Sequence, residues 1–416
     1  MTEPQIYIAL AVAFGLFMAW GIGANDVANA MGTSVGARAL TVKQALCVAA
    51  IFEFSGAVLA GGEVTSTIRS GIVDPELFKD DPKLLVYGML ASLLAAGTWL
   101  MYATREGWPV STTHSIVGAI IGFGAIGVST DVIRWDGVMD ILLSWVVTPL
   151  IGGALAWAIF TTVQRLVLER EDPLTAAKFW VPFYMFFAGF VMSAVTMFKG
   201  LQHVGLQLAT YQTWLYSAAI GVTVALIGKA FVSRVKVDPA ADREFHYATV
   251  EKVFGVLMVM TACCMAFSHG SNDVANAIGP VAAVVSVAQT GVVEQKSAVA
   301  TWLLLLGGIG IVIGLATYGQ RVMVTIGEKI THLTPSRGFA AELAAATTIV
   351  VASGTGMPIS TTHTLVGAVL GVGFARGIAA IDLGVVRGIF LSWVITVPAG
   401  AVLAVFFYFV IKLVLG

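Results

Sequence analysis

Gly23-Ala24-Asn25-Asp26-Val27-Ala28-Asn29-Ala30 and Gly270-Ser271-Asn272-Asp273-Val274-Ala275-Asn276-Ala277 share the run Asn-Asp-Val-Ala-Asn-Ala, each copy set inside a long apolar stretch. A carboxylate and amides at membrane depth are costly to bury and mark a substrate or ion path; placed there twice, they predict one polar site built from two related halves. The class this predicts is a transporter. Composition agrees, with 58% hydrophobic and 11% charged residues over a 416-residue chain and a mean hydropathy of +0.89, far from the usage of soluble domains.

A formal charge of -1 and the absence of a long basic tract leave nucleic acid nothing to hold electrostatically. The first apolar run starts at Ile6 without a basic residue before it or a small-residue cleavage site after it, so it reads as a retained span. Cys263 and Cys264 are adjacent and Cys47 sits in an apolar helix pattern; packing is expected of all three rather than a disulfide or metal.

Working outward, apolar segments lie near 5–30, 42–62, 84–103, 110–128, 138–163, 180–198, 213–232, 252–278, 298–318, 338–354, 359–375 and 388–411. Most approach the roughly 20 residues needed to cross a hydrocarbon core of about 30 Å, 359–375 being short. Helices are required there because lipid offers no partner for unpaired backbone groups. If all twelve cross and the N-terminus starts outside, the inward connections carry Arg38, Lys43, Arg105, Arg165, Arg170, Lys178, Lys229, Arg234, Lys236, Arg243, Lys252, Arg321, Lys329, Arg337, Arg376 and Arg387, which is 16 of the 23 basic residues. That bias predicts both termini outside and 233–251 as the main cytoplasmic loop.

Two further markers repeat. Pro109-Val110-Ser111-Thr112-Thr113-His114 matches Pro358-Ile359-Ser360-Thr361-Thr362-His363, and Ser144-Trp145-Val146-Val147-Thr148 matches Ser392-Trp393-Val394-Ile395-Thr396, so the three markers recur at offsets of 247, 249 and 248. The chain then divides into a first repeat over 1–165, intervening helices and a short loop over 166–251, and a second repeat over 252–416. Seven crossings precede the second repeat and would invert it relative to the first. The expected fold is all-α: a polytopic membrane protein with about 12 transmembrane segments, inverted internal repeats and discontinuous helices.

Gly21 and Gly23 before Asn25-Asp26, and Gly270 before Asn272-Asp273, suggest that each helix unwinds there and restarts with its positive N-terminal end toward an anion. Pro109 and Pro358 interrupt the chain before the Ser-Thr-Thr runs, whose hydroxyls can either donate to a polar substrate or cap the following helix. Asp26 and Asp273 would repel an anion and suffer desolvation unless cations share the cavity; protonated carboxylates are the rival solution. Glu53 and Glu342, also in apolar segments, read as an ion or substrate path, the alternative being a packing network. His114 and His363 fit an orienting role in the Ser-Thr turns better than metal ligation, and His203, His246, His269 and His332 add no metal spacing. Gly307-Gly308-Ile309-Gly310 suits close helix packing rather than nucleotide binding.

At these motifs the chain resembles the inorganic phosphate transporter family, the sodium- or proton-coupled phosphate permeases. The likeness runs over nearly the whole chain and rests on both Asn-Asp blocks, the second continuing as Ile278-Gly279-Pro280, and on both Pro-x-Ser-Thr-Thr-His blocks. It implies that Asn25, Asp26, Ser111, Thr112, Thr113, Asn272, Asp273, Ser360, Thr361 and Thr362 converge on inorganic phosphate, with Asn25, Asp26, Asn272 and Asp273 also on sodium. Glu53 and Glu342 match family glutamates associated with transport. The first block, followed by Gly32-Thr33-Ser34-Val35-Gly36, looks more like the sodium-coupled branch than the proton-coupled bacterial branch, whose first motif commonly carries His-Asp-Thr. Animal members often insert a long cytoplasmic loop where this chain has only 233–251.

The expected function is therefore sodium-driven phosphate symport in a plasma membrane or bacterial inner membrane, with no catalysis, no cofactor beyond sodium as coupling ion, and phosphate, sodium and lipid as partners. A homodimer is left open. Proton-coupled symport is the nearest rival. An intramembrane phosphate-processing enzyme is a more distant one, because the duplicated serines and histidines lack an independent orienting group.

Overall fold

A computed structural model describes residues 2–198, 208–236, 247–293, 299–319, 333–377 and 383–416, with backbone alone for 383–386, 388–390, 392 and 393. Thirteen α-helices are described: α1 Glu3–Gly36, α2 Val42–Ala60, α3 Gly62–Ser70, α4 Pro82–Arg105, α5 Thr112–Gly122, α6 Trp135–Val163, α7 Pro173–Phe198, α8 Thr210–Ser233, α9 Ala248–Thr290, α10 Thr301–Gly314, α11 Pro335–Gly354, α12 Thr361–Arg376 and α13 Leu383–Leu415. Among the described residues nine are long and apolar enough to cross a membrane, and the shorter apolar run Thr112–Val128 accompanies them. The protein is an all-α polytopic membrane protein.

Discontinuity is present, but not where the Asn-Asp blocks predicted it. α1 runs through Asn25-Asp26 and α9 through Asn272-Asp273 without a break. The breaks fall at Gly61 between α2 and α3, at the extended turns before α5 and α12, and at π-helical ends over Phe123–Val128, Gln164–Leu168 and Leu315–Gly319. The glycines beside the Asn-Asp blocks serve close packing instead. A Cβ on Gly23 would collide with the Ile311 carbonyl, and one on Gly270 with the Glu53 carbonyl.

α1 and α9 form the centre. Every residue from Gly21 to Ser34 and from Ser268 to Val285 is buried, a continuous covering that a lipid-facing helix would not have. The packing is reciprocal across the halves: α2 lies on α9 while α10 lies on α1, and α5 lies on α13 while α12 lies on α6. Glycine again permits this, since a Cβ on Gly118 would meet the Val397 carbonyl and one on Gly367 the Pro149 carbonyl. The Gly307–Gly310 stretch likewise packs closely, on Val274, Ile278, Phe54 and Ala19. α7 and α8 pair chiefly with each other and expose Phe179, Phe183, Phe187, Trp214 and Leu215, as suits a lipid-facing surface.

The packing expectation fails for Cys47, which is exposed on α2, whereas Cys264 is buried and Cys263 half-buried. Of the third repeated marker, Ser144, Trp145 and Thr148 are buried in α6, while the side chains of Ser392 and Trp393 lie outside the described residues. Most of the predicted 233–251 loop also lies outside them, as do His203, His246 and His332.

Candidate functional site

The site forms where the middle of α1 and of α9 meets the N-termini of α5 and α12. Extended backbone before each short helix stops the preceding chain, and Ser111 and Ser360 cap the new helices by accepting from the His114 and His363 amides, both at 3.2 Å. The positive helix ends expected at the Asn-Asp blocks are therefore supplied by α5 and α12. For the two serines capping is the observed role.

The amides are held in duplicate. Asn25 donates from Nδ2 to Thr104 Oγ1 at 3.0 Å and to the Trp108 carbonyl at 3.2 Å. Asn272 donates to Ser353 Oγ at 3.0 Å and to the Met357 carbonyl at 3.2 Å. Because a backbone carbonyl can only accept, this pairing fixes which end of each amide is nitrogen. Each Oδ1 is then turned away, buried and without a hydrogen-bond partner, as are Asn276 Oδ1, Asp26 Oδ2 and Asp273 Oδ1.

The second asparagines exchange partners between halves. Asn29 donates to Thr362 Oγ1 at 2.7 Å, and Asn276 donates to Thr112 and Thr113 at 3.2 and 3.1 Å. Thr113 donates to the Ile359 carbonyl at 2.9 Å and Thr362 to the Val110 carbonyl at 3.5 Å. Thr112 and Thr361 both donate to Asp273 Oδ2, at 3.2 and 3.1 Å. Asp26 takes one weaker bond, from Asn29 at 3.3 Å. His114 and His363 meet beside the two threonine turns with ring centroids 4.2 Å apart, and His114 stacks on Trp145.

His269, which the sequence reading set aside, stands at the centre. Its Nε2 lies 3.2 Å from Asp273 Oδ2 and 3.8 Å from Asp26 Oδ2, and its Nδ1 lies 3.3 Å from Glu53 Oε1, all four side chains being fully buried. Asp26, His269 and Asp273 offer ligand atoms within 4.8 Å of one another. No Lys or Arg among the described residues pairs with these carboxylates. The signal available in the sequence was spacing: His269 lies four residues before Asp273 in one helix, hence on the same face. Asn29 and Asn276 stand three residues after each aspartate, on the same helix face by the same rule.

Glu342 is apart from this cluster. Its Oε1 accepts from Thr33 at 2.5 Å and Ser34 at 2.6 Å, and its Oε2 from Thr261 at 2.7 Å. The packing network weighed against a path is thus present, built wholly of hydroxyls.

Fold and site together define a polytopic membrane protein with a buried polar centre of carboxylates, amides and hydroxyls between two interlocked halves. The chain belongs to the phosphate transporter family, whose sequence model matches residues 22–404. It is similar to a Haemophilus influenzae protein bearing the name "Putative phosphate permease", 52% identical over 97% of this chain and 96% of that one. A like-named protein of Pyrococcus horikoshii is 46% identical over 99% of both. A solved structure described as "The sodium-dependent phosphate transporter" superposes with a TM-score of 0.92 at 43% identity, covering 98% of this chain and 100% of that one. The family is one of transporters, not enzymes.

Proposed function

We propose that the chain is a sodium-driven symporter of inorganic phosphate, with Asn25, Asp26, Asn272 and Asp273 holding sodium and Thr112, Thr113, Thr361, Thr362 and the N-termini of α5 and α12 facing phosphate. One observation carries the reading: buried Oδ atoms of Asn25, Asn272, Asn276, Asp26 and Asp273 lack donors while the amide nitrogens are satisfied. Buried oxygens without hydrogen bonds are costly unless a hard cation takes the donor's place. The cation also offsets the charge that would otherwise expel the anion. Ser111 and Ser360 support the cargo by shaping the helix ends, and Glu53 and Glu342 flank the ion route.

The repeated offset of the amide partners, with Thr104 and Trp108 answering Ser353 and Met357, supports two related halves, and the seven crossings expected before the second would invert it. That relation accommodates the twelve crossings and outward termini of the sequence reading, in a plasma or bacterial inner membrane. Each inward monovalent charge then gains about 2.3 kcal/mol from 100 mV of favourable potential.

Proton coupling is the second reading, favoured by His269 among three carboxylates. Phosphate uptake into proteoliposomes under separately imposed sodium and pH gradients decides between them. Accumulation driven by sodium at equal pH is expected; accumulation following the pH gradient alone would reject sodium coupling.

A further inference from the structure

The amides of Asn25 and Asn272 are each held by the end of a neighbouring helix, and the two ends are built alike. α4 closes with the Gly107 amide donating to the Thr104 carbonyl at 3.2 Å and the Trp108 amide to the Ala103 carbonyl at 2.8 Å. α11 closes with the Gly356 amide donating to the Ser353 carbonyl and the Met357 amide to the Ala352 carbonyl, both at 3.0 Å. This pair of bonds is the Schellman cap, which calls for a left-handed residue just past the helix. Gly107 at φ 69° and Gly356 at φ 74° supply it.

The cap turns the chain back so that a hydroxyl and the carbonyl four residues later face one amide nitrogen, Thr104 with Trp108 for Asn25 and Ser353 with Met357 for Asn272. Three residues further on, Ser111 and Ser360 cap α5 and α12. The whole unit therefore recurs, over 104–111 and 353–360, at a single offset of 249. Each copy is braced differently. The Trp108 ring lies against Trp99 and Tyr102, with centroids 6.5 and 5.8 Å away, whereas the Gly356 carbonyl accepts from the Thr67 hydroxyl at 2.7 Å.

The two ends of an amide differ little in shape but oppositely in chemistry, and a flip would aim two N–H donors where an oxygen now points. Both carbonyls can only accept, so each holds the nitrogen. The Ser353 hydroxyl has its own hydrogen engaged by the Ile349 carbonyl at 2.9 Å, which leaves its oxygen to accept as well. Oδ1 of each asparagine is thereby turned away, buried and without a hydrogen bond.

We propose that Thr104 and Ser353 are positioning residues for sodium, acting through Asn25 and Asn272, and that Gly107 and Gly356 set the turns on which they depend. The inference rests on the sodium reading above and deepens it by naming what orients each amide oxygen before the ion arrives. An amide already oriented has less freedom to lose on binding.

The test is phosphate uptake into proteoliposomes holding the full chain, across a sodium titration at fixed ionic strength with potassium as the balancing ion. Thr104→Val and Ser353→Ala are expected to raise the half-saturating sodium concentration about three- to tenfold, with the phosphate KM at saturating sodium near that of the parent. Thr104→Ser, which keeps the acceptor, should return the parent titration. A Cβ on Gly107 meets nothing within 4 Å, so Gly107→Ala acts through φ alone and should shift sodium as Thr104→Val does, whereas Gly107→Asn, tolerated in the left-handed region, should shift it less. Thermal unfolding without sodium shows which variants fold, and the two Gly107 variants carry the comparison if Thr104→Val does not. Unchanged sodium titrations in folded Thr104→Val, Ser353→Ala and Gly107→Ala overturn the positioning role and leave sodium coupling standing. A phosphate KM raised at saturating sodium places the hydroxyls on the anion and overturns it too. A parent whose uptake is indifferent to sodium overturns the sodium reading itself.

Discussion

The two halves agree almost atom for atom around Asn25 and Asn272, and disagree around His269 and Glu342. The paired amides find a hydroxyl at 3.0 Å and a carbonyl at 3.2 Å in both halves. At the offset of 247 residues, however, His269 corresponds to Ile22 and Thr261 to Phe14. Asp273 accepts two threonine hydroxyls and has His269 at 3.2 Å, whereas Asp26 has a single 3.3 Å bond and the same imidazole at 3.8 Å. Duplication thus builds the frame that orients the amide oxygens. Divergence sets how charge is distributed within it, and a frame alone would make two equivalent cation positions.

The strongest way to break that comparison is to neutralise each aspartate separately. Asp26→Asn and Asp273→Asn should both cut sodium-driven uptake, by up to about 100-fold, since a hydrogen bond or ligand contact to a charged group contributes roughly 1.5–3 kcal/mol. Asp26→Asn should weaken apparent sodium affinity the more, because Asp26 has fewer protein donors to replace the ion. Equal sodium titrations for the two variants would show that the asymmetry has no consequence for coupling.

Making the second half resemble the first is the next step. His269→Ile removes the group shared by Asp26, Asp273 and Glu53, and should lower uptake about tenfold while costing about 1–3 kcal/mol of stability in thermal unfolding without sodium. Added sodium should recover part of that stability. A variant of unchanged stability and transport would mean that the imidazole is a bystander.

The exchanged contacts permit a finer test. A double-mutant cycle on Asn29 and Thr362, followed by uptake, should give a coupling of about 0.5–3 kcal/mol, and one on Asn276 and Thr113 a similar value. Zero coupling in either would remove the proposed tie between halves. Smallest for transport is Gly23→Ala beside Gly270→Ala: both overpack a helix crossing and should cost about 1–3 kcal/mol of stability, read by thermal unfolding, with matched values expected from the matched collisions.

Much of this was legible in the sequence because repetition is visible without structure. The blocks at Asn25 and Asn272, and at Ser111 and Ser360, named the two pairs of elements that meet. Apolar length named their helical state, since lipid permits little else. What failed was local. Gly23 and Gly270 suggested unwinding because glycine lowers helix stability, yet a glycine flanked by apolar residues equally admits a neighbouring backbone, and only the positions of Ile311 and Glu53 distinguish the two. The exchange of threonines between halves was hidden because it depends on α5 and α12 crossing over. His269 shares a helix face with Asp273 by its four-residue spacing, but its other partners, Asp26 and Glu53, come from two other helices, which no spacing within one segment brings near.

The central claim is that cation and anion share one cavity, each making the other tolerable. Equilibrium binding of phosphate to the purified chain, measured across a sodium titration at fixed ionic strength with potassium as the balancing ion, tests it most directly. Sodium should tighten phosphate binding and phosphate should tighten sodium binding by the same factor, as linkage requires. Phosphate affinity that is identical in sodium and in potassium would contradict the account.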